Sequence, residues 1–271
     1  MFRKLLCIAA VLAMSASQAT FAALVDLRID STPGGATVDG VLGANEYGPG
    51  NSYNYLGAGS GFGGTLGASA LYVESDGTNL QIGFQPGGNL NDLVFIQIDS
   101  RAGGFVDADM DDQGDGGRRA ASQQANAADD AYPAGFLADF SIIIGNFGIV
   151  TFELNAGNTP NHLNFVDFNG TFTGANTAFR EYSLPLATLG IGSGFNFFAG
   201  YTSDSGYLSN ESIPANPALQ NNGNPGFGDG QFGGTQGSPG YANHNRFEII
   251  PEPATLALLS LGAIALIRRR R

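Results

Sequence analysis

Asp107, Asp109 and Asp111 stand at a spacing of two in the stretch FVDADMDDQGDGG (105–117), and Asp115 follows four residues later. That spacing brings several carboxylate oxygens onto one loop, the donor set that a hard cation such as Ca²⁺ takes. These four residues are the candidate metal ligands. Asp129, Asp130 and Asp139 are further carboxylates that folding can bring near. The competing reading is a solvated acidic loop, partly neutralised by Arg118 and Arg119.

The pattern starts like an EF-hand loop and does not complete it. Position six is Asp112 where glycine makes the turn, and position twelve is Arg118 where a bidentate glutamate closes the site. A second candidate site is aromatic. Tyr53 and Tyr55 precede the glycine-rich run GAGSGFGG (57–64), which contains Phe62, and exposed tyrosines stack on sugar rings while bonding their hydroxyls. The alternation of Tyr53 and Tyr55 equally fits one packed face of a strand. The run lacks the Lys-Ser/Thr ending of a phosphate loop and reads as an outer loop.

Catalytic constellations are thin. His162 and His244 are the two histidines, both in Asn-rich surroundings. No G-x-S-x-G nucleophile elbow is present, and the chain's single cysteine, Cys7, lies in the N-terminal apolar run. Paired carboxylates for glycoside hydrolysis are available in any chain with 24 acidic residues, so their presence decides nothing.

The elements that must position these residues are β-strands. SALYVESDGTNLQIGFQ (69–85) alternates apolar and polar residues on both sides of Asp76-Gly77, which predicts a hairpin with one buried face. Further strands are predicted at 24–30, 93–99, 137–144, 147–154, 163–168, 179–184 and 194–202, with a last one at 246–250. One stretch, GRRAASQQANAADD (117–130), has helix-favouring composition and little apolar periodicity. Residues 214–245, rich in Pro, Asn and Gly, read as a loop or linker. Short strands between Gly, Asn, Pro and Asp clusters predict one all-β, antiparallel sandwich over 23–213.

Both ends carry different signals. Residues 1–22 have a basic start (Arg3, Lys4), an apolar stretch and a small-residue exit that fits cleavage after Ala22 or after Ala19, the pattern of a signal peptide cut by signal peptidase. Between Ala23 and Ile250 stand six arginines, 23 carboxylates, no lysine and no cysteine, a net charge of −17. Such a surface repels nucleic acid and anionic lipid and attracts cations. Without disulfides, the domain must be held by its core, with bound metal as a possible addition.

PEPATLALLSLGAIALIRRRR closes the chain. Ala254–Ile267 is uncharged and apolar all round, which an ordinary surface helix is not. As a helix it reaches about 21 Å, short of the roughly 30 Å hydrocarbon core, a gap that snorkelling arginines and local thinning close. Four terminal arginines keep that end cytoplasmic and leave the acidic domain outside. The stretch resembles the PEP-CTERM sorting signal of Gram-negative bacteria: Pro251, Glu252 and Pro253 match its triplet, and Arg268, Arg269, Arg270 and Arg271 its basic cluster. The resemblance implies processing by an exosortase and residence at the cell surface or in an exopolysaccharide or biofilm matrix.

A second resemblance covers most of the domain. TVDGVLGANEYG (37–48) is similar to the opening of domains of the family 9 carbohydrate-binding-module type, with Asp39, Gly40, Glu46 and Tyr47 in place. LYVESDGTNLQIGF, VFIQID and EYSLPLATLGIGSGFNFFAGYTS resemble later segments. The resemblance implies a sandwich of jelly-roll or immunoglobulin-like type. The family's sugar-clamping tryptophans have no counterpart, because the chain has no Trp. On the residues alone, Asp39 is a turn former, and Glu46 is either a ligand or a buried partner for an arginine. The expectation is an exported, non-catalytic module that binds extracellular polysaccharide, with a polysaccharide hydrolase or a purely structural surface protein as the alternatives.

Overall fold

A computed structural model describes residues 23–29, 35–48, 50, 52–54, 66–106, 114–122, 132–155, 163–170, 178–214, 241 and 243–249. Among them the chain forms strands β1 (Ala23–Ile29), β2 (Ser52–Asn54), β3 (Ala70–Ser75), β4 (Asn79–Gln85) and β5 (Leu93–Asp99), then helix α1 (Gly116–Ser122). After it come β6 (Phe140–Gly145), β7 (Gly148–Leu154), β8 (Leu163–Asn169), β9 (Arg180–Pro185), β10 (Gly194–Thr202), β11 (Leu208–Ile213) and β12 (Asn243–Glu248). The protein is mostly β, as its alternating apolar pattern requires. The expected strands at 93–99 and 194–202 match β5 and β10 in both bounds. Two short or polar strands, β2 and β11, have too little apolar alternation to stand out.

Two sheets form. The larger runs β1-β12-β10-β5-β6-β7-β8, with β11 also paired to β10, and the smaller runs β2-β3-β4-β9. Inward residues of both sheets make one core: Leu71, Ile82 and Phe84 from the small sheet meet Ile96, Ile142 and Phe197 from the large one. Each such fully buried side chain contributes about 1.5–3 kcal/mol of transfer free energy. The expectation of a purely antiparallel sandwich is corrected at one place. β1 pairs with β12 in parallel, from Ala23↔Asn243 to Ile29↔Glu248. A parallel pair needs a long connection, and here almost the whole domain lies between the partners.

β12 begins at Asn243, three residues before the predicted last strand, and sits between β1 and β10 inside the large sheet. Tyr241 is buried with it, packed on Phe95 and Phe198, with its hydroxyl donating to Ser209 O at 3.2 Å. The end of the stretch read as linker is therefore part of the domain.

The predicted hairpin is β3–β4, with Ser75 opposite Leu80 and Gly77 at φ +80° in its turn. Its expected single buried face is corrected to two. Residues 35–48 cover the second face, where Tyr47 lies 5.3 Å from the Tyr72 ring and 6.2 Å from Phe179. Gly83 makes room for this: a Cβ there would come within 2.7 Å of Tyr47 Oη.

The outer face of the large sheet carries a second core. Phe95, Ile143, Phe152 and Phe198 are covered by Ala120 and Ala121 of α1 and by Tyr132 and Phe136. Asp115 caps α1, accepting from Arg118 N at 2.9 Å. Buried Gln97 donates its amide to Ala121 O at 2.9 Å, satisfying a carbonyl at the helix end. The helix predicted within 117–130 is described over 116–122, and 123–130 lie outside the described residues.

Candidate functional site

The second core opens at one end into a cavity of about 530 Å³ between the start of α1 and strands β7 and β8. Its walls are Phe147, Val150, Phe152, Phe165 and Phe168, with Asp115, Arg118 and Asp204 at the polar side. Three of the phenylalanines are markedly exposed: Phe147 at 47%, Phe165 at 60% and Phe168 at 49%. Three exposed aromatic rings around one concavity are unusual for a surface with no partner. Phe147 and Phe168 stack with centroids 6.5 Å apart and planes 23° from parallel.

The local chain path explains the clustering. β8 is an edge strand, and its register on β7 slips between Thr151 and Phe152. Phe165 faces Phe152 and Asp167 faces Thr151, so Val166 is the extra residue of a bulge. Val166 packs on the inner core, and Asp167 reaches the Tyr182 hydroxyl at 3.0 Å. The bulge turns Phe168, three residues after Phe165, back to the outer side. Phe147 comes from the β6–β7 turn, next to Gly148 at φ +133°.

Arg118 fixes the facing wall. Its guanidinium lies 5.2 Å over the Phe152 ring and donates from Nη1 to Leu163 O at 2.9 Å. Its Nε lies 4.0 Å from Asp115 Oδ2. Arg119 binds Asp204 O at 2.8 Å, tying the 203–206 turn to the helix. The exposed side chains of Asp115 and Asp204 are left as the acidic rim.

A second cleft, of about 460 Å³, is polar and closes on itself. Asn196 bridges its cross-strand neighbours, donating to Asp99 at 3.0 Å and accepting from Arg246 at 3.3 Å. Arg246 pairs with Glu248 at 2.6 Å, and Arg101 lies between Asp139 at 3.2 Å and Glu153 at 2.8 Å. Burial pushes the Asp99 carboxyl up, opposed by Asn196.

Of the residues singled out from sequence, only some fall among the described ones. Asp107, Asp109 and Asp111 lie outside the described residues, and Asp115 serves α1 as its cap. Among the described residues no group of three or more His, Cys, Asp or Glu is placed to hold a metal. Tyr55 and Phe62 also lie outside the described residues. Tyr53 is corrected from sugar platform to core: it is 3% exposed, edge-on to Phe197 at 4.9 Å, with Arg28 at 5.1 Å over its ring. β2 turns it toward the small sheet's packed face, the second of its two readings.

In the opening motif, Asp39 makes the turn bond expected of it, accepting from Val41 N at 2.9 Å. Glu46 is not the buried arginine partner of its second reading, being half-buried and bonded to backbone. It accepts backbone N–H bonds from Thr37 at 2.9 Å and Gly43 at 2.7 Å. The loop is anchored below by buried Glu181, which takes Asp39 N, Gly40 N and the Tyr47 hydroxyl. This motif is a structural clasp.

Phe147, Phe165 and Phe168 were not visible as site residues in the sequence. The available signal was the spacing of three between two phenylalanines in LNFVDFN, which breaks strand alternation and marks a bulge.

Residues 250–271 match the PEP-CTERM protein-sorting motif. The chain carries an exosortase sorting signal. The motif implies processing by exosortase, and it indicates export and cell-surface sorting as found in Gram-negative bacteria. No curated protein and no solved structure matches the chain. Among the described residues no helix is long and apolar enough to cross a membrane; Pro251, Glu252, Pro253, Arg268 to Arg271 and the apolar run between them lie outside those residues, as does the N-terminal segment.

Proposed function

We propose that this exosortase-sorted protein is a non-catalytic module that binds extracellular polysaccharide through the cavity walled by Phe147, Phe165 and Phe168. The observation that carries the reading is the exposed aromatic pair Phe147–Phe168 at a concavity with carboxylates on its rim. Aromatic rings accept the apolar C–H faces of sugars, and rim oxygens accept hydroxyl hydrogens. Export supplies the setting, since a sorted surface protein meets matrix polymers. The resemblance to family 9 carbohydrate-binding modules concerns the fold and carries no sugar site, since the chain has no Trp, so the reading rests on the cavity itself.

The test is retention of the purified full chain on immobilised polysaccharides, with the released glycan analysed. Retention lost in Phe168→Ala, with no new reducing ends, supports the reading. New reducing ends in the wild-type sample would replace it with a hydrolase, and no retention on any polymer with a structural role. Calcium belongs to the reading through Asp107, Asp109 and Asp111 as ligands. A melting temperature unmoved between EDTA and millimolar calcium removes it, because a ligand of the native state alone must stabilise that state.

A further inference from the structure

The aromatic cavity has a charge pattern that narrows its ligand. Two exposed carboxylates, Asp115 and Asp204, stand at its rim. Among the described residues, the one cation in its wall, Arg118, is already placed over Phe152, beside Asp115 and against Leu163 O. Arg119, next along the helix, is turned to backbone carbonyls at Asp204 and Gly114. Around this sits a domain with a net charge of −17 between Ala23 and Ile250. An anionic glycan approaching the cavity is repelled at long and short range.

The rings themselves favour positive charge. An aromatic face attracts a cation within about 6 Å of its centroid, and Arg118 over Phe152 is an instance within this wall. The rings of Phe147 and Phe168 are exposed to the cavity, with no cation of the described residues placed over them. An ammonium on a ligand would find aromatic faces on one side and carboxylates on the other.

From this we infer that the cavity selects a cationic glycan, an amino sugar polymer with free, non-acetylated amines. The inference rests on the polysaccharide-binding reading above and deepens it. The apolar ring face of the sugar would stack on Phe147 and Phe168, and its ammonium would lie toward Asp204 and Asp115. A neutral sugar makes the first contact without the second.

The test is calorimetric titration of the purified full chain, at mildly acidic pH and low salt, with three probes of equal length: a glucosamine tetramer, an N-acetylglucosamine tetramer and a glucose tetramer. The glucosamine tetramer is expected to bind about tenfold more tightly than either neutral probe, the sum of a cation–π contact and a rim ion pair. Raising salt weakens that preference. The double variant Asp115→Asn and Asp204→Asn is expected to bring the three affinities together. Asn retains the capping function of residue 115, so α1 is kept, and an unchanged melting temperature verifies it. Equal affinity of the wild-type protein for all three probes overturns the inference and leaves the polysaccharide module standing. So does a preference that survives in the double variant. Binding of none of the three overturns the inference, while the polysaccharide module stands or falls by retention on the immobilised polymers.

Discussion

The Tyr182 hydroxyl donates to Asp167 Oδ2 at 3.0 Å and accepts from Thr151 Oγ1 at 3.1 Å, so one side chain of the small sheet grips two strands of the large one. The grip falls at the bulge that aims Phe168 outward. Burial pushes the Tyr182 phenol above its ordinary range, with Thr151 opposing, and keeps it a neutral donor. Tyr182→Phe removes a hydrogen bond to a carboxylate and leaves the ring. The expected loss is about 1.5–3 kcal/mol in urea unfolding. Glycan affinity falls as well, because the bulge loses its inner anchor. Unchanged affinity in a folded variant would detach the bulge from the site.

Phe168→Ala separates binding from folding. The side chain is about half exposed and belongs to neither core cluster. Its removal is expected to change unfolding free energy by no more than about 0.5 kcal/mol, as for ordinary surface positions. Affinity for the glycan retained on the column is expected to fall by at least about 1 kcal/mol, the threshold that marks an anchoring residue. A variant that unfolds more easily while binding normally would make Phe168 a packing residue.

Strand periodicity carried most of the fold. β5 and β10, the central strands, are long and uninterrupted, and their bounds follow from their residues. β2 has three residues, and β11 reads LSNESI; both form because neighbouring strands supply partners, which single-sequence alternation does not register. The parallel pairing of β1 and β12 depends on contacts between residues more than two hundred positions apart. The site was the least legible part. Phe147, Phe165 and Phe168 look like core residues by type, and only the bulge and the edge position of β8 expose them. For Tyr53 the alternation left a sugar platform and a packed strand face both open, and what packs opposite decides it: the ring is buried.

Glu181 predicts a pH slope. Burial pushes its carboxyl up, opposed by the N–H bonds from Gly40 and Asp39 and by the Tyr47 hydroxyl. In a window above the unfolded value of about 4.3, the folded protein holds this proton more tightly than the unfolded chain. Its contribution to stability is full below that value and is lost as pH rises through the folded one. Glu181→Gln keeps an acceptor for Asp39 and Gly40 and offers an amide donor to Tyr47. Denaturant unfolding across pH 4–7 should show a shallower decline with rising pH in this variant than in the wild type. Parallel profiles would mean that Glu181 does not titrate with folding.

His244 predicts the opposite slope. It lies on β12, 6.1 Å from the Phe136 ring, with Nδ1 buried and without a hydrogen-bond partner among the described residues. Burial pushes its imidazole down, and the charge of Arg246 adds to the effect. The unfolded chain takes up a proton here below about pH 6.5, while the folded protein resists until lower pH. The unfolded state therefore binds more protons in that window, and stability rises with pH through it. His244→Phe removes both the titration and the unsatisfied nitrogen while keeping an aromatic contact with Phe136. Melting temperature measured from pH 5 to pH 8 should climb in the wild-type protein and climb less in the variant. Because β12 lies between β1 and β10 and ends two residues before the sorting motif, any loosening there would also expose the junction with residues 250–271. Limited proteolysis at acid pH should cut at that junction faster in the wild type than in His244→Phe, and equal rates would confine the effect of His244 to its own neighbours.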